Sequence, residues 1–142
     1  MMDIQIRKAE LSDAAALHML NTNFNGDCTT IELIIDSLQN NKQEIVLIAY
    51  ANDKPAGFVC GEIHRSMCYK TKHGSVGELF VEEEYRRHGI ATRLIQEVED
   101  IFKKSGIITV DIATSVNNNT AQAVYSSCGY IGKTKMIYRK NI

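Results

Sequence analysis

The sequence has no tryptophan, one proline (Pro55) and no C-x-x-C pair among its four cysteines. A single proline and nine scattered glycines leave no stretch that reads as a linker, so residues 1–142 are expected to form one domain. Cys28, Cys60, Cys68 and Cys128 show no zinc-ribbon spacing, and a chain of this length needs no disulfide framework. They are expected to be free, mostly buried thiols. Sixteen basic against seventeen acidic side chains leave a net charge of −1, without the cationic surplus that neutralises a nucleic-acid backbone. No nucleic-acid partner is expected. The longest apolar run, Ile45 to Ala51, falls far short of the roughly 20 residues of a membrane helix, and MMDIQIRKAE lacks the apolar core of a signal peptide. No membrane contact is expected, and the location predicted is cytoplasmic.

What is present is globular: 44% hydrophobic and 23% charged residues. Ile4 and Ile6 alternate with polar neighbours as in a short strand, and Ser12-Asp13 offers an N-cap to a helix carrying Leu17, Leu20 and Phe24. A second helix is predicted from Thr29 or Thr30 to about Gln39. Glu44 to Tyr50 and Ala56 to Ile63, joined by Asn52-Asp53-Lys54-Pro55, read as an antiparallel hairpin. Ser75 to Val81 is a further strand. From Gly89, the apolar positions Ile90, Leu94, Ile95, Val98, Ile101 and Phe102 form one helical stripe that stops before Gly106. Ile107 to Ala113 reads as a strand, Ala121 to Cys128 as a helix closed by Gly129, and Tyr130 to Lys140 as a last strand or strand pair. A strand, helix, strand crossover over 75–113 joins parallel neighbours, so the sheet must be mixed and the class α/β.

Between that strand and helix lies Glu82-Glu83-Glu84-Tyr85-Arg86-Arg87-His88-Gly89-Ile90-Ala91. Unpaired amides at a helix N-terminus, with the positive end of its dipole, favour an anion by roughly 0.3 to 2 kcal/mol. Gly89 allows close approach to the backbone, and Arg86 and Arg87 add charge. The second half of the chain suits an anion as well: residues 72–142 carry a charge of +2, residues 1–71 one of −3. No Gly-Lys-Ser/Thr follows the loop and no G-x-G-x-x-G is present, which argues against nucleoside triphosphate and NAD.

R-R-H-G-I-A fits the Q/R-x-x-G-x-G/A signature of the GNAT superfamily of acetyl-CoA-dependent N-acetyltransferases, and L-F-V-E-E-E-Y resembles the family's preceding strand and loop. Downstream, Asn118, Ala121, Tyr125 and Gly129-Tyr130 resemble its N-x-x-A-x-x-x-Y-x-x-x-G-F/Y segment. The resemblance implies an α/β (α+β) fold of the GNAT type: a mixed, mostly antiparallel sheet with a central splay and helices on both faces. It implies acetyl-CoA as co-substrate and no metal. Backbone groups of the Leu79-Phe80-Val81 strand, chiefly Leu79 and Val81, would hold the pantetheine arm. Amides from Arg86 through Thr92 (Arg87, His88, Gly89, Ile90 and Ala91 between them) would hold the pyrophosphate. Asn118, at the head of the segment that includes Ala121, would meet the arm from the other side, and Tyr125 would lie beside the sulfur.

The implied chemistry is direct attack of a primary amine on the acetyl carbonyl in a ternary complex. An alkyl ammonium has a reference pKa near 10.4, so a base must remove a proton, and the departing thiolate benefits from an acid. Tyr125 is the candidate acid. Glu78 is the candidate base, directly or through water, because it is a carboxylate in an apolar strand; burial there would raise its pKa. Glu83 stands where many family members have proline. Glu82 to Glu84 reads as a solvated run. Cys60, His64 and Cys68, four residues apart, would lie about 13 Å apart on a strand, too far to share a zinc ion.

The acceptor is expected to be a small-molecule or peptide amine. Asp27, Glu32 and Asp36 make the first two helices acidic and favour a cationic one. The 13 residues after Gly129 suit one long strand or a very short pair, which leaves the acceptor side open unless a second subunit covers it as a homodimer. The competing reading is a catalytically lapsed CoA-binding sensor on the same fold.

Overall fold

The structure, a computed structural model, describes residues 1–142. Five strands form one sheet in the order β1-β2-β3-β4-β5: β1 (Ile4–Lys8), β2 (Glu44–Ala51), β3 (Lys54–His64), β4 (His73–Val81) and β5 (Val110–Ile112). The first three pairings are antiparallel and β4 with β5 is parallel, so the sheet is mixed, mostly antiparallel. The helices are α1 (Ala14–Asn25), α2 (Ile31–Asn40), α3 (Ile90–Lys104) and α4 (Asn119–Ser127).

Local chemistry explains most boundaries. Asn52 and Asp53 take φ of +48° and +64°, a conformation Asn and Asp tolerate, and turn β2 back into β3. The Thr30 hydroxyl accepts the Leu33 amide at 3.1 Å and starts α2. Asp13 does not cap α1 as expected. It is 2% exposed, and its carboxylate accepts two bonds from the Arg7 guanidinium (2.6 and 2.9 Å), one from the Tyr50 hydroxyl (2.7 Å) and one from the Glu10 amide (2.7 Å). One carboxylate thereby ties the start of α1 to β1 and β2.

The alternating strand residues serve two unequal cores. Thirteen buried residues, among them Leu47, Val59, Val76, Leu94, Val98 and Phe102, join the sheet to α3. Only four, Leu17, Leu20, Ile48 and Phe58, are buried between the sheet and α1 and α2. Helix α3 sits close because Gly61 has no side chain: a Cβ there would lie 2.8 Å from Val98 Cγ2 and 2.9 Å from Phe102 Cζ.

Two sequence expectations fail at the C-terminal end. Of the predicted strand Ile107 to Ala113, only Val110–Ile112 pairs. The Ile107 amide bonds to the Phe102 carbonyl and finishes the end of α3, while the pairing with β4 stops at Val76. Residues 130–140 form neither a strand nor a strand pair, and residues 131–142 are exposed throughout. A strand needs an edge to pair with, and three-residue β5 offers a very short one. The thiols also differ from expectation: Cys28 and Cys68 are exposed, Cys60 and Cys128 half-buried, and all four are free.

Candidate functional site

The site begins at an irregularity in β4. Cys60 pairs with Glu78 but its neighbour Gly61 pairs with Val76, so Gly77 is an extra residue, a β-bulge. Pairing with β5 ends at Val76, and from Gly77 to Val81 the strand has a partner only in β3. This is the expected splay, but it lies between the last two strands of the sheet and not at its centre.

Which main-chain groups face the gap follows from the register. The Glu82 amide donates to the Ala56 carbonyl at 2.8 Å, one pair beyond Gly57 with Val81. Hydrogen-bonded pairs alternate in an antiparallel ladder, so Phe80 and Glu78 face β3, whereas the main-chain groups of Leu79 and Val81 point into the gap. Phe80 is thus the exception among the predicted strand contacts. Its main chain is turned to β3, and its ring stacks on Phe24 (centroids 5.0 Å apart) and packs against Phe58. The Val81 carbonyl is not vacant, since Arg86 Nε donates to it at 2.9 Å.

After β4 a 3₁₀ turn over Glu83–Tyr85 leads into the arginines. Glu82 accepts a bond from Asn23 Nδ2 at 2.6 Å, which ties this loop to the end of α1, so it is not part of a wholly solvated run. Arg87 and Gly89 have φ of +66° and +77°. Helix α3 then starts with its first internal-type bond from the Arg93 amide to the Gly89 carbonyl, and the amides from Arg87 to Thr92 have no main-chain partner. Arg86, Arg87, His88 and Gly89 are exposed; Ile90 is buried in the α3 core, so its contribution here is its amide alone. A Cβ at Gly89 would meet nothing within 4 Å, so the space beside it is open.

Beyond β5, Asn118 is the N-cap of α4: its Oδ1 accepts the Ala121 amide at 3.1 Å, which commits both groups within the chain. Tyr125 is half-buried and packs edge-on against Tyr130 (6.5 Å). Burial pushes its phenol pKa up, so the proton stays in place at neutral pH. Tyr130 anchors this corner by donating to Glu99 of α3 at 2.6 Å.

On the other side, α1, α2 and strands β2 to β4 enclose a cavity of about 240 Å³, lined by Asn21, Thr29, Ser37, Glu44, Cys60, Glu78 and several apolar residues. Glu78 reaches it, but as an exposed side chain; the burial expected of it is absent, because the bulge lies at the open end of the sheet. Asp27, Glu32 and Asp36 are exposed and none lines the cavity. Its carboxylates are instead Glu78 and Glu44, a residue that sequence reasoning missed. Period-two alternation places Glu44 on the Val46 face of β2, beside Cys60, and could have found it. Burial, then the negative charges of Glu44, Glu78 and Glu62, push the Cys60 thiol pKa up, which disfavours its thiolate.

The sequence pattern of the acetyltransferase (GNAT) family matches residues 14–130. The chain belongs to this family. It is 33% identical over 98 residues to N-alpha-acetyltransferase 30 of Schizosaccharomyces pombe, covering 68% of this chain and 63% of that relative. It is 27% identical over 145 residues to the aminoglycoside N(6')-acetyltransferase type 1 of Acinetobacter baumannii, covering 96% of each. Its fold matches that of the aminoglycoside N-acetyltransferase AAC(6')-Iy, solved with the bisubstrate analogue CoA-S-monomethyl-acetylneamine: the TM-score is 0.86 over 99% of each chain, at 20% identity. This GNAT chain therefore has the α/β sheet, splay and two-sided helix layers that its motifs implied. No helix in it is long and apolar enough to cross a membrane.

Proposed function

We propose that this chain transfers the acetyl group of acetyl-CoA to a primary amine of a small molecule or peptide, by direct attack in a ternary complex. The observation that carries the reading is the pairing of two main-chain features: the open edge of β4 at Leu79 and Val81, and the partnerless amides from Arg87 to Thr92. The first suits an extended pantetheine arm that adds to the sheet like a strand; the second suits a diphosphate at a helix N-terminus. The Val81 carbonyl keeps a second lone pair for the arm while Arg86 Nε holds the first, and the remaining guanidinium donors of Arg86 stay available to phosphate.

The chemistry falls to side chains on either side of the gap. Glu78, exposed at the cavity, takes a proton from the acceptor ammonium, directly or through water. Tyr125 keeps its proton and donates it, or a hydrogen bond, to the departing sulfur. Asn118 retains its Nδ2 for the arm while Oδ1 caps α4. The acceptor enters through the cavity lined by Glu44 and Glu78. The setting we infer is the reducing cytoplasm, in keeping with four unpaired cysteines. A homodimer belongs to the same reading: Ile131, Met136, Ile137, Tyr138 and Ile142 are each at least 75% exposed, and a second copy would cover them.

Calorimetry with acetyl-CoA and ADP, followed by CoA release with a panel of amines, tests the proposal. Preference for acetyl-CoA and release with at least one amine are expected. Tight acetyl-CoA binding without turnover on any acceptor would convert the reading to a lapsed sensor. Tyr125→Phe and Glu78→Gln should each lower kcat, by about tenfold and about a hundredfold, more than they change the KM for acetyl-CoA.

A further inference from the structure

The two carboxylates of the cavity are placed unequally. Glu78 lies on β4 beside the open edge, whereas Glu44 lies at the start of β2, against α2, where it accepts a bond from the Ser37 hydroxyl at 2.8 Å. The pairings of Glu44 with Glu62, Val46 with Cys60, and Cys60 with Glu78 put the two glutamates two strands and two residues apart. Their Cα atoms are therefore separated by about 12 Å.

The remaining lining holds no lysine, arginine or histidine, and neither glutamate is in an ion pair. The rest of the wall is largely apolar, from Leu17, Leu33, Ile34, Leu38, Val46 and Phe58, and the Cys60 thiol sits between the two charges with no hydrogen-bond partner. Such a cavity concentrates cations and repels anions. A single ammonium balances only one of the two negative charges, and a second cation is needed to balance the other. The cavity, about 240 Å³ and open to solvent on one side, has room for a short linear diamine along its apolar wall.

Resting on the acetyltransfer reading, we propose that the preferred acceptor is a slender dication, a linear chain with a second ammonium, and that Glu44 is the residue that selects it. The reacting nitrogen approaches Glu78 and the gap, the alkyl chain lies along the apolar wall, and the distal ammonium pairs with Glu44. Ser37 holds that carboxylate in position. A lysine side chain whose peptide lies outside the cavity brings a single ammonium, so when that amine reacts at Glu78 it leaves Glu44 unpaired.

The test uses the full chain with acetyl-CoA and three acceptors of matched length: 1,5-diaminopentane, pentylamine and 5-aminopentanoate. The diamine should exceed pentylamine in kcat/KM by about tenfold or more, and the amino acid should fall below both. Glu44→Gln, nearly isosteric, should bring the diamine-to-monoamine ratio to within about twofold of one, with the KM for acetyl-CoA as the check on folding. Equal use of diamine and monoamine by the unaltered protein, or a ratio that survives Glu44→Gln, overturns the proposal. Should no amine turn over, the acetyltransfer reading fails separately, and calorimetry decides this one: diamine binding that is lost in Glu44→Gln supports it, and absence of diamine binding overturns it.

Discussion

The two faces of the sheet are built by different means. Toward α3, thirteen buried side chains form a continuous cluster, and the helix is drawn in close over Gly61. Toward α1 and α2, only four are buried, and the layer is fastened by the Arg7-Asp13-Tyr50 network, by an aromatic group of Phe24, Phe58 and Phe80, and by the Asn23 bond to Glu82. The densely packed face fixes the start of α3, and what that start offers a ligand is main chain. The thinly packed face holds the cavity, and what it offers is side chains. On the proposed reading, the closely packed layer meets the co-substrate and the thinly packed one meets the acceptor, where substitutions that change the lining remove fewer core side chains.

Paired substitutions can break this comparison. Phe102, 1% exposed in the α3 core, should lose about 3 to 5 kcal/mol of stability as Phe102→Ala, whereas half-buried Leu38 on α2 should lose about 1 kcal/mol as Leu38→Ala. Equal losses in denaturant unfolding would show that the two layers are not differently built. The polar fastening of the thin face has a pH signature. The Arg7 guanidinium, followed by the Glu10 amide and the Tyr50 hydroxyl, holds the Asp13 carboxyl down to about 2 against an ordinary 3.8. A carboxyl whose pKa is lower folded than unfolded stabilises the fold above its unfolded value and stops doing so as pH falls through its folded value. Asp13→Asn should therefore remove about 2 kcal/mol at neutral pH and flatten the acid loss of stability between about pH 4 and about pH 2. An unchanged acid limb would show that the network contributes nothing.

A smaller effect is expected at the main-chain site, and it should appear in binding. Gly89 has φ of +77° with open space where a Cβ would stand, so a side chain there strains the backbone by about 1 to 2 kcal/mol and projects toward the ligand. Gly89→Val should weaken acetyl-CoA at least about tenfold in calorimetry, and Gly89→Ala less. Removing the charge of Arg87 while keeping its amide should matter less than either if main chain does the holding.

How much of this was legible beforehand differs along the chain. Helix α3 and the β2–β3 hairpin could be read directly, because the 3.6-residue stripe from Ile90 to Phe102 and the Asn52-Asp53 turn are local. The loop from Arg86 to Thr92 was legible because short glycine-bearing motifs carry their own conformation. Less visible was anything that needed a neighbour. Asp13 looked like a cap because its partners, Arg7 and Tyr50, are unremarkable in isolation, and Tyr50 is 37 residues away. Glu78 looked buried because the sequence does not reveal the bulge at Gly77 or where β5 stops. Residues 130–140 hold β-forming residues such as Ile131, Ile137 and Tyr138 but find no adequate edge to pair with.

The order of residues alone determined the α/β class, the parallel β4-α3-β5 connection and, through its motifs, the resemblance to the family, since periodicity and short glycine-bearing motifs act over a few neighbouring positions. Tertiary structure alone decided which carboxylates share a cavity, which edge of β4 stays open and that the C-terminal residues remain outside the sheet. Those outcomes depend on pairing register between distant strands, where a one-residue shift moves a side chain to the opposite face.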